Sequence, residues 1–168
     1  FAEHYGVNLD EAEQPELEAY GTFNAFFTRN LKAGARPWPD DPECLASPCD
    51  GALSAQGPIT AGQIFQAKGI AYSAEGLLAG DAAAYENGAF STIYLAPKDY
   101  HQIHMPLAGT LTALRYVPGD LFSVNPATAA TRPGRFARNE RVILEFSTPD
   151  GPFTLVLVGA LIVGAMRT

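Results

Sequence analysis

The 168-residue sequence predicts an α+β fold, with short N-terminal helices packed on a mainly antiparallel β-sheet body. Three observations carry that expectation. The first forty residues space their apolar side chains at helical intervals. After Pro39 the texture changes to short runs rich in β-branched and aromatic residues. Turn signals divide those runs, among them CDG, ENG, PGD and PDG.

Each element follows in chain order. Asn8 reads as an N-cap, and acids crowd the turn after it, where the helix dipole favours them. Leu17, Tyr20, Phe23, Phe26 and Phe27 then share one helical stripe. Pro15 and Gly21 divide the segment into two or three short helices. The stripe reads as a face packed on the rest of the domain, with a membrane-facing stripe as the alternative. Strands are expected in ALSAQG, STIYLAP, GTLTALRYVP, RVILEFST and the apolar run Phe153 to Met166, and a short helix in SAEGLLAGDAAAYENG. PDG between two strand-like runs signals a hairpin. One catalytic domain over residues 1–168 is expected, a helical region at 1–39 and a β-rich body at 40–168, with no internal repeat.

Composition narrows the function. At 47% hydrophobic and 11% aromatic, the chain can bury a core and is not of a disordered type. A net charge of -7 argues against nucleic-acid binding, because neutralising phosphates needs a basic face. It leaves contact with a membrane surface open, since a local basic patch can coexist with an acidic total. Cys44 and Cys49 fit neither a disulfide framework nor a zinc knuckle and read as free thiols. The run Phe153 to Met166 is shorter than the roughly 20 residues that span a bilayer as a helix. Beginning at Phe1 and ending on an apolar run, the sequence reads as a fragment or processing product whose fold continues beyond Thr168.

Three stretches hold groups that could do chemistry. KDYHQIHMP, residues 98–106, places His101 and His104 three apart after a strand. Pro106 disfavours a helix there. The glutamate of a zinc-binding helix is missing between the histidines, and no third ligand stands nearby, so no metal is expected. SPCDG, residues 47–51, holds Asp50, either a turn residue or a carboxylate that orients an imidazole. A nucleophile to complete such a triad is not evident: Ser123, Ser147 and Thr168 are available, and none lies in a nucleophile elbow. YVPGDLFSVNP, residues 116–126, could line a pocket for an apolar substrate with a polar end. Downstream, RNER at 138–141 reads as a solvated turn, with anion binding by Arg138 and Arg141 as the alternative.

Seven stretches together resemble the bacterial membrane-associated phosphatidylserine decarboxylase family. They are TFNAFFTRNLKAGARP, SPCDGALS, QAKGIAYSAEGLLAGD, YLAPKDYHQIHMPLAGTL, YVPGDLFSVNP, FARNERV and LVGALIVGAM, in family order over nearly the whole chain. The resemblance implies a proenzyme that cuts itself at a Gly-Ser bond, leaving a pyruvoyl group on a small second subunit. No glycine of this sequence is followed by serine. The chain therefore resembles most of the larger, β subunit, inactive alone and completed by a C-terminal α subunit that brings the pyruvoyl cofactor.

By position, the resemblance implies that Asp50 and His104 form a triad with the absent serine for self-cleavage. His101 would protonate the carbon that loses CO2 after the substrate amine has formed a Schiff base with the ketone. Tyr100 and Ser123 would help place the headgroup, and Phe122 would line the acyl-chain entrance. Phosphatidylserine and the membrane surface are the implied partners, with homodimer formation and a peripheral position on the cytoplasmic face of the membrane. A serine hydrolase with an Asp-His-Ser triad and a non-catalytic lipid-binding module of the same fold are the alternatives. A Gly-Ser pair beyond Thr168 separates enzyme from module, and reagents for a reactive ketone separate decarboxylase from hydrolase.

Overall fold

The computed structural model describes residues 1–41, 43–66, 70–125, 134–161, 163, 164 and 166. They form two compact units, Phe1–Ala52 with Leu95–Leu107, and Leu53–Tyr94 with Ala108–Thr168. The architecture is α+β as expected, with a few short helices and antiparallel sheet.

In the first unit, α1 (Ala2–Tyr5) stops at Gly6, whose φ of 68° is left-handed. Asn8 does not cap a helix. Its side chain accepts the Asp10 N–H at 3.0 Å and donates to Glu11 at 2.6 Å. A short polar side chain that bonds its own backbone competes with helix formation. The following residues instead form a turn, Ala12 N–H donating to the Leu9 carbonyl at 3.0 Å and Ala12 bridging Leu31. A 3₁₀ turn at Leu17–Ala19 and α2 (Phe23–Phe27) come after Pro15 and Gly21, as those residues predict. The Thr22 hydroxyl caps α2 by accepting the Ala25 N–H at 3.1 Å.

The expected single helical stripe is not formed, because Tyr20 is extended (φ -94°, ψ 110°) and breaks the period. Its members make a ring cluster instead. Phe1 meets Phe23, Phe26 and Phe27 edge-on, with Phe26 and Phe27 buried and Phe23 half exposed.

In the second unit, β1 (Ala52–Pro58) pairs with β4 (Ala89–Tyr94), and β2 (Gln63–Gln66) pairs antiparallel with β3 (Ile70–Ser73). The β2–β3 pair is not among the strands read from the sequence. Ser73 ends β3 and caps α3 (Ala74–Leu78), accepting the Gly76 N–H at 3.0 Å. A 3₁₀ turn follows at Ala83–Tyr85.

β5 (Thr110–Val117), β6 (Arg141–Thr148) and β7 (Gly151–Val158) form an antiparallel meander with β6 in the middle. The PDG signal is a two-residue turn that sets Thr148 opposite Gly151. Gly151 has φ 120°, which side-chain-bearing residues rarely adopt. Gly119 of PGD is also obligatory, since a Cβ there would lie 2.3 Å from the Arg138 carbonyl oxygen. The core gathers Ile59, Ile64, Tyr72, Leu78 and Ile143. The run Phe153 to Met166 begins as β7, while Ile162 and Ala165 lie outside the described residues. Among the described residues no helix is long and apolar enough to cross a membrane.

RNER is not a solvated turn throughout. Arg138 closes α4 (Arg135–Arg138), exposed and paired with Asp120 at 2.9 Å. Arg141, at the start of β6, is only 3% exposed. Its fork donates to the carbonyls of Leu77 (2.7 Å), Ala137 (2.8 Å), Gly76 (2.9 Å) and Asn139 (3.0 Å). It thus holds the last turns of α3 and α4, where a cation meets the negative end of the helix dipole. Five fixed donors fit this task, and an ammonium cannot reproduce the fork. Arg141→Lys is expected to lose about 3 kcal/mol by stranding buried carbonyls, measured by denaturant unfolding.

Candidate active site

Two of the stretches singled out from sequence lie side by side in the first unit. Ala46 N–H donates to the Pro106 carbonyl at 3.1 Å, and His104 N–H donates to the Pro48 carbonyl at 2.8 Å. Neither stretch is regular, because prolines at 48 and 106 remove donors and disfavour helix before them. The two bonds pin the histidine loop to the backbone just ahead of Asp50. Ser47 tightens that turn by donating to the Cys49 carbonyl at 2.7 Å, and Gly51, at φ 135°, completes it.

Asp50 is gripped by Arg36. Nε donates to Oδ1 at 2.8 Å and Nη2 to Oδ2 at 2.7 Å, a bidentate fork. The same Nη2 pairs with Glu11 at 2.5 Å. This holds the Asp50 carboxyl below its ordinary value, Arg36 being the main cause and partial burial opposing it. A backbone hydrogen bond from Tyr100 adds to the lowering. A depressed carboxyl contributes stability that is complete above the unfolded value of about 3.9 and is lost as pH falls through the folded value. Asp50 is therefore ionised at neutral pH.

The imidazoles occupy different surroundings. His104 is exposed, and its Nε2 lies 3.0 Å from the hydroxyl of Tyr100, with the two rings near parallel at 19°. Tyr100 is 6% exposed, and burial raises its phenol above the usual value. It stays a neutral hydroxyl. Asp50 lies close enough to the Tyr100 backbone to feel it electrostatically, and the Tyr100 hydroxyl touches His104. Among the described residues no direct hydrogen bond joins Asp50 to His104.

His101 is half buried, its ring 4.0 Å from that of Phe27. Its Nδ1 lies 2.8 Å from the Asp99 carbonyl. A carbonyl only accepts, so Nδ1 carries the proton and Nε2 is the basic nitrogen. Burial, the largest cause, lowers its pKa below the ordinary imidazole value, which the Asp99 carbonyl partly offsets.

Asp50, Tyr100, His101 and His104 are thus brought into one unit, while Phe122 and Ser123 belong to the other. There Asn139, fully buried, clamps their loop by accepting the Phe122 N–H at 3.1 Å and donating to its carbonyl at 2.8 Å. The Phe122 ring lies 5.0 Å from the Arg138 guanidinium, and the Ser123 hydroxyl receives the Asn125 N–H at 3.5 Å. Ser147 sits in β6 opposite Thr110. Pro126 and Thr168 lie outside the described residues. Both cysteines are free, and burial pushes the Cys49 thiol up to about 11. Arg36 was missed in the sequence, where it is one cation in a Gly- and Pro-rich stretch. Its only signal is the acids at 11 and 50 that need a counter-charge.

A model of the phosphatidylserine decarboxylase family matches residues 23–168. The chain belongs to the phosphatidylserine decarboxylase family. Similar relatives are each named phosphatidylserine decarboxylase proenzyme. That of Shewanella frigidimarina is 58% identical over the whole of this chain and 59% of its own length. Those of Yersinia enterocolitica and Methylobacillus flagellatus are also 58% identical, with 58% and 60% of their lengths covered. The chain thus spans about 60% of the length of these curated decarboxylase relatives.

The sheltered setting of His101 has a measurable consequence. Because its pKa is lowered, it contributes stability held above the ordinary value of about 6.5 and lost as pH falls from there through the folded value. In an NMR titration His101 is expected to protonate below about 6.5, and Phe27→Ala, which opens its surroundings, moves the midpoint back up.

Proposed function

We propose that this chain is the β subunit of a phosphatidylserine decarboxylase, which converts phosphatidylserine to phosphatidylethanolamine and CO2. Family membership supports the reaction class. The observation that carries the site reading is the Tyr100–His104 pair, pinned beside the turn that holds Asp50. An exposed imidazole sits on a buried hydroxyl at 3.0 Å, its backbone tied to the strand of chain that carries an ionised carboxylate.

In this reading His104 takes the proton from the serine hydroxyl of a Gly-Ser bond in the C-terminal part of the proenzyme. Exposure of the ring suits a reacting group that arrives from outside this chain. Asp50 supplies a fixed negative charge that stabilises the imidazolium, and Tyr100 transmits orientation to the ring.

The pyruvoyl group left by that cleavage supplies an electron sink for decarboxylation. The donor set here suits a ketone. Imidazole N–H and phenol O–H groups can hydrogen-bond its oxygen, and the Cys49 thiol stays protonated at neutral pH instead of adding to it. His101 Nε2 takes up a proton from solvent and, from the imidazolium, passes it to the substrate carbon that has lost CO2, returning to the neutral ring. Its lowered pKa makes the protonated ring a stronger donor. Ser123 and Tyr100 help place the headgroup, and Phe122 lines the acyl-chain entrance.

The proposed partners are the C-terminal α subunit, the phospholipid at a membrane surface and a second copy of the subunit pair. The protein would lie peripherally on the cytoplasmic face of the membrane. Exposed apolar side chains on the edge strand β5, Leu111, Leu114 and Tyr116, are candidates for cover by the α subunit.

In the full proenzyme, His104→Ala and Asp50→Ala are expected to block the appearance of two subunits on a denaturing gel. His101→Ala processes normally and loses at least about 100-fold in turnover. Two subunits formed by His104→Ala would overturn the assignment. Tyr100→Phe keeps the ring and removes the hydroxyl, so processing should slow by about tenfold or more, followed as a time course on the same gel.

A further inference from the structure

A cavity of about 210 Å³ lies within the first unit, lined by Glu11, Arg29, Arg36, Asp50, Lys98 and Asp99 among others. Their formal charges cancel, but their partners do not. Glu11 is held by Arg36 and by the Asn8 amide at 2.6 Å. Asp50 is held by the Arg36 fork. Asp99 accepts the Ala96 N–H at 2.6 Å. All three acids, and Arg36 with them, are committed.

Two cations are not. Arg29 is 4% exposed, and its Nε has no hydrogen-bond partner among the described residues. The Phe26 ring stands 5.4 Å from its guanidinium carbon, and burial lowers the Arg29 pKa. Lys98 is exposed at the same cavity and makes no hydrogen bond or ion pair among the described residues. A guanidinium withdrawn from water is costly unless it meets both an acceptor and a counter-charge. Burial outweighs the charges of Asp50 and Glu11, which favour the Arg29 cation, and neither accepts a hydrogen bond from it.

We propose that this cavity binds a phosphate oxyanion, with Arg29 as its buried donor and Lys98 as its exposed one. A tetrahedral anion offers oxygens in both directions, whereas a planar carboxylate seated in the Arg29 fork would leave Lys98 unmet. The inference deepens the proposed function. In that reading the oxyanion is the phosphodiester of the serine headgroup, set beside Tyr100 and Asp50, which line the same cavity.

The test is thermal unfolding of the full-length protein with inorganic phosphate, glycerophosphoserine or chloride at equal ionic strength. Phosphate is expected to raise the midpoint over chloride. Arg29→Met should abolish that rise and melt no lower than the parent in chloride, because a buried cation whose Nε has no hydrogen-bond partner has been removed. Lys98→Met should weaken the apparent phosphate affinity by about tenfold.

Tighter binding of glycerophosphoserine than of phosphate assigns the headgroup, and the reverse assigns free phosphate. Three results overturn the proposal. They are no phosphate effect in the parent, an undiminished effect in Arg29→Met, or an Arg29→Met protein that melts lower in chloride, which means another part of the protein already holds the guanidinium. Subunit formation on a denaturing gel and sensitivity to hydroxylamine are read separately. A protein without the ketone can still bind phosphate, and a processed enzyme can fail to.

Discussion

The Arg36 clamp is the interaction on which the geometry of the first unit depends. It joins three stretches of the sequence: the turn at Glu11, its own Gly- and Pro-rich loop and the turn at Asp50. An isolated exposed ion pair stabilises by only about 0–1 kcal/mol. This one is different in kind, because one guanidinium serves two carboxylates and grips one of them with a fork. Without it, Glu11 and Asp50 would face each other as like charges, and both would tend to protonate. The clamp therefore lowers the pKa of Asp50 and fixes the orientation of its carboxylate.

Burial does opposite things to the two imidazoles that the sequence places three residues apart. His104 is held by one ring nitrogen and its own backbone N–H, and it faces outward. His101 is packed under Phe27, and its tautomer is fixed by a carbonyl. One ring is open to solvent, and the other is sheltered and biased toward its neutral form. A division of labour between maturation and turnover needs that difference in environment, since the residue type is the same.

Much of the fold was legible because the sheets obey local rules. β4, β5, β6 and β7 fall on runs that carry β-branched residues, β1 runs from the turn signal CDG to Pro58, and the hairpin signal at PDG sits between β6 and β7. Ser73 and the alanine-rich run after it mark α3. The N-terminal region was harder. Asn8 and the acids after it suggest a helix, but side-chain bonds to nearby backbone win there, and Tyr20 interrupts the stripe. Of the site, Asp50 and the histidine loop were recognised as separate motifs. That Tyr100 would stand between them, or that Arg36 would hold the carboxylate, has no periodic signature, because all the segments involved are irregular. Arg141 was misread for the opposite reason: a charge-rich turn normally faces water, yet here the helix ends supply four carbonyls that only a buried fork can satisfy.

The two ties between the Ala46–Pro48 stretch and the His104–Pro106 stretch have a bearing on timing. Half of the second unit, Leu53–Tyr94, lies between them in sequence. The β6–β7 ribbon can zip up from its own two-residue bend, whereas those ties must wait for a long intervening segment to loop back. The histidine loop is thus among the late arrivals of assembly. Under the proposed function, a precursor that cut its own backbone only once that loop was seated would be guarded against cutting itself half-made.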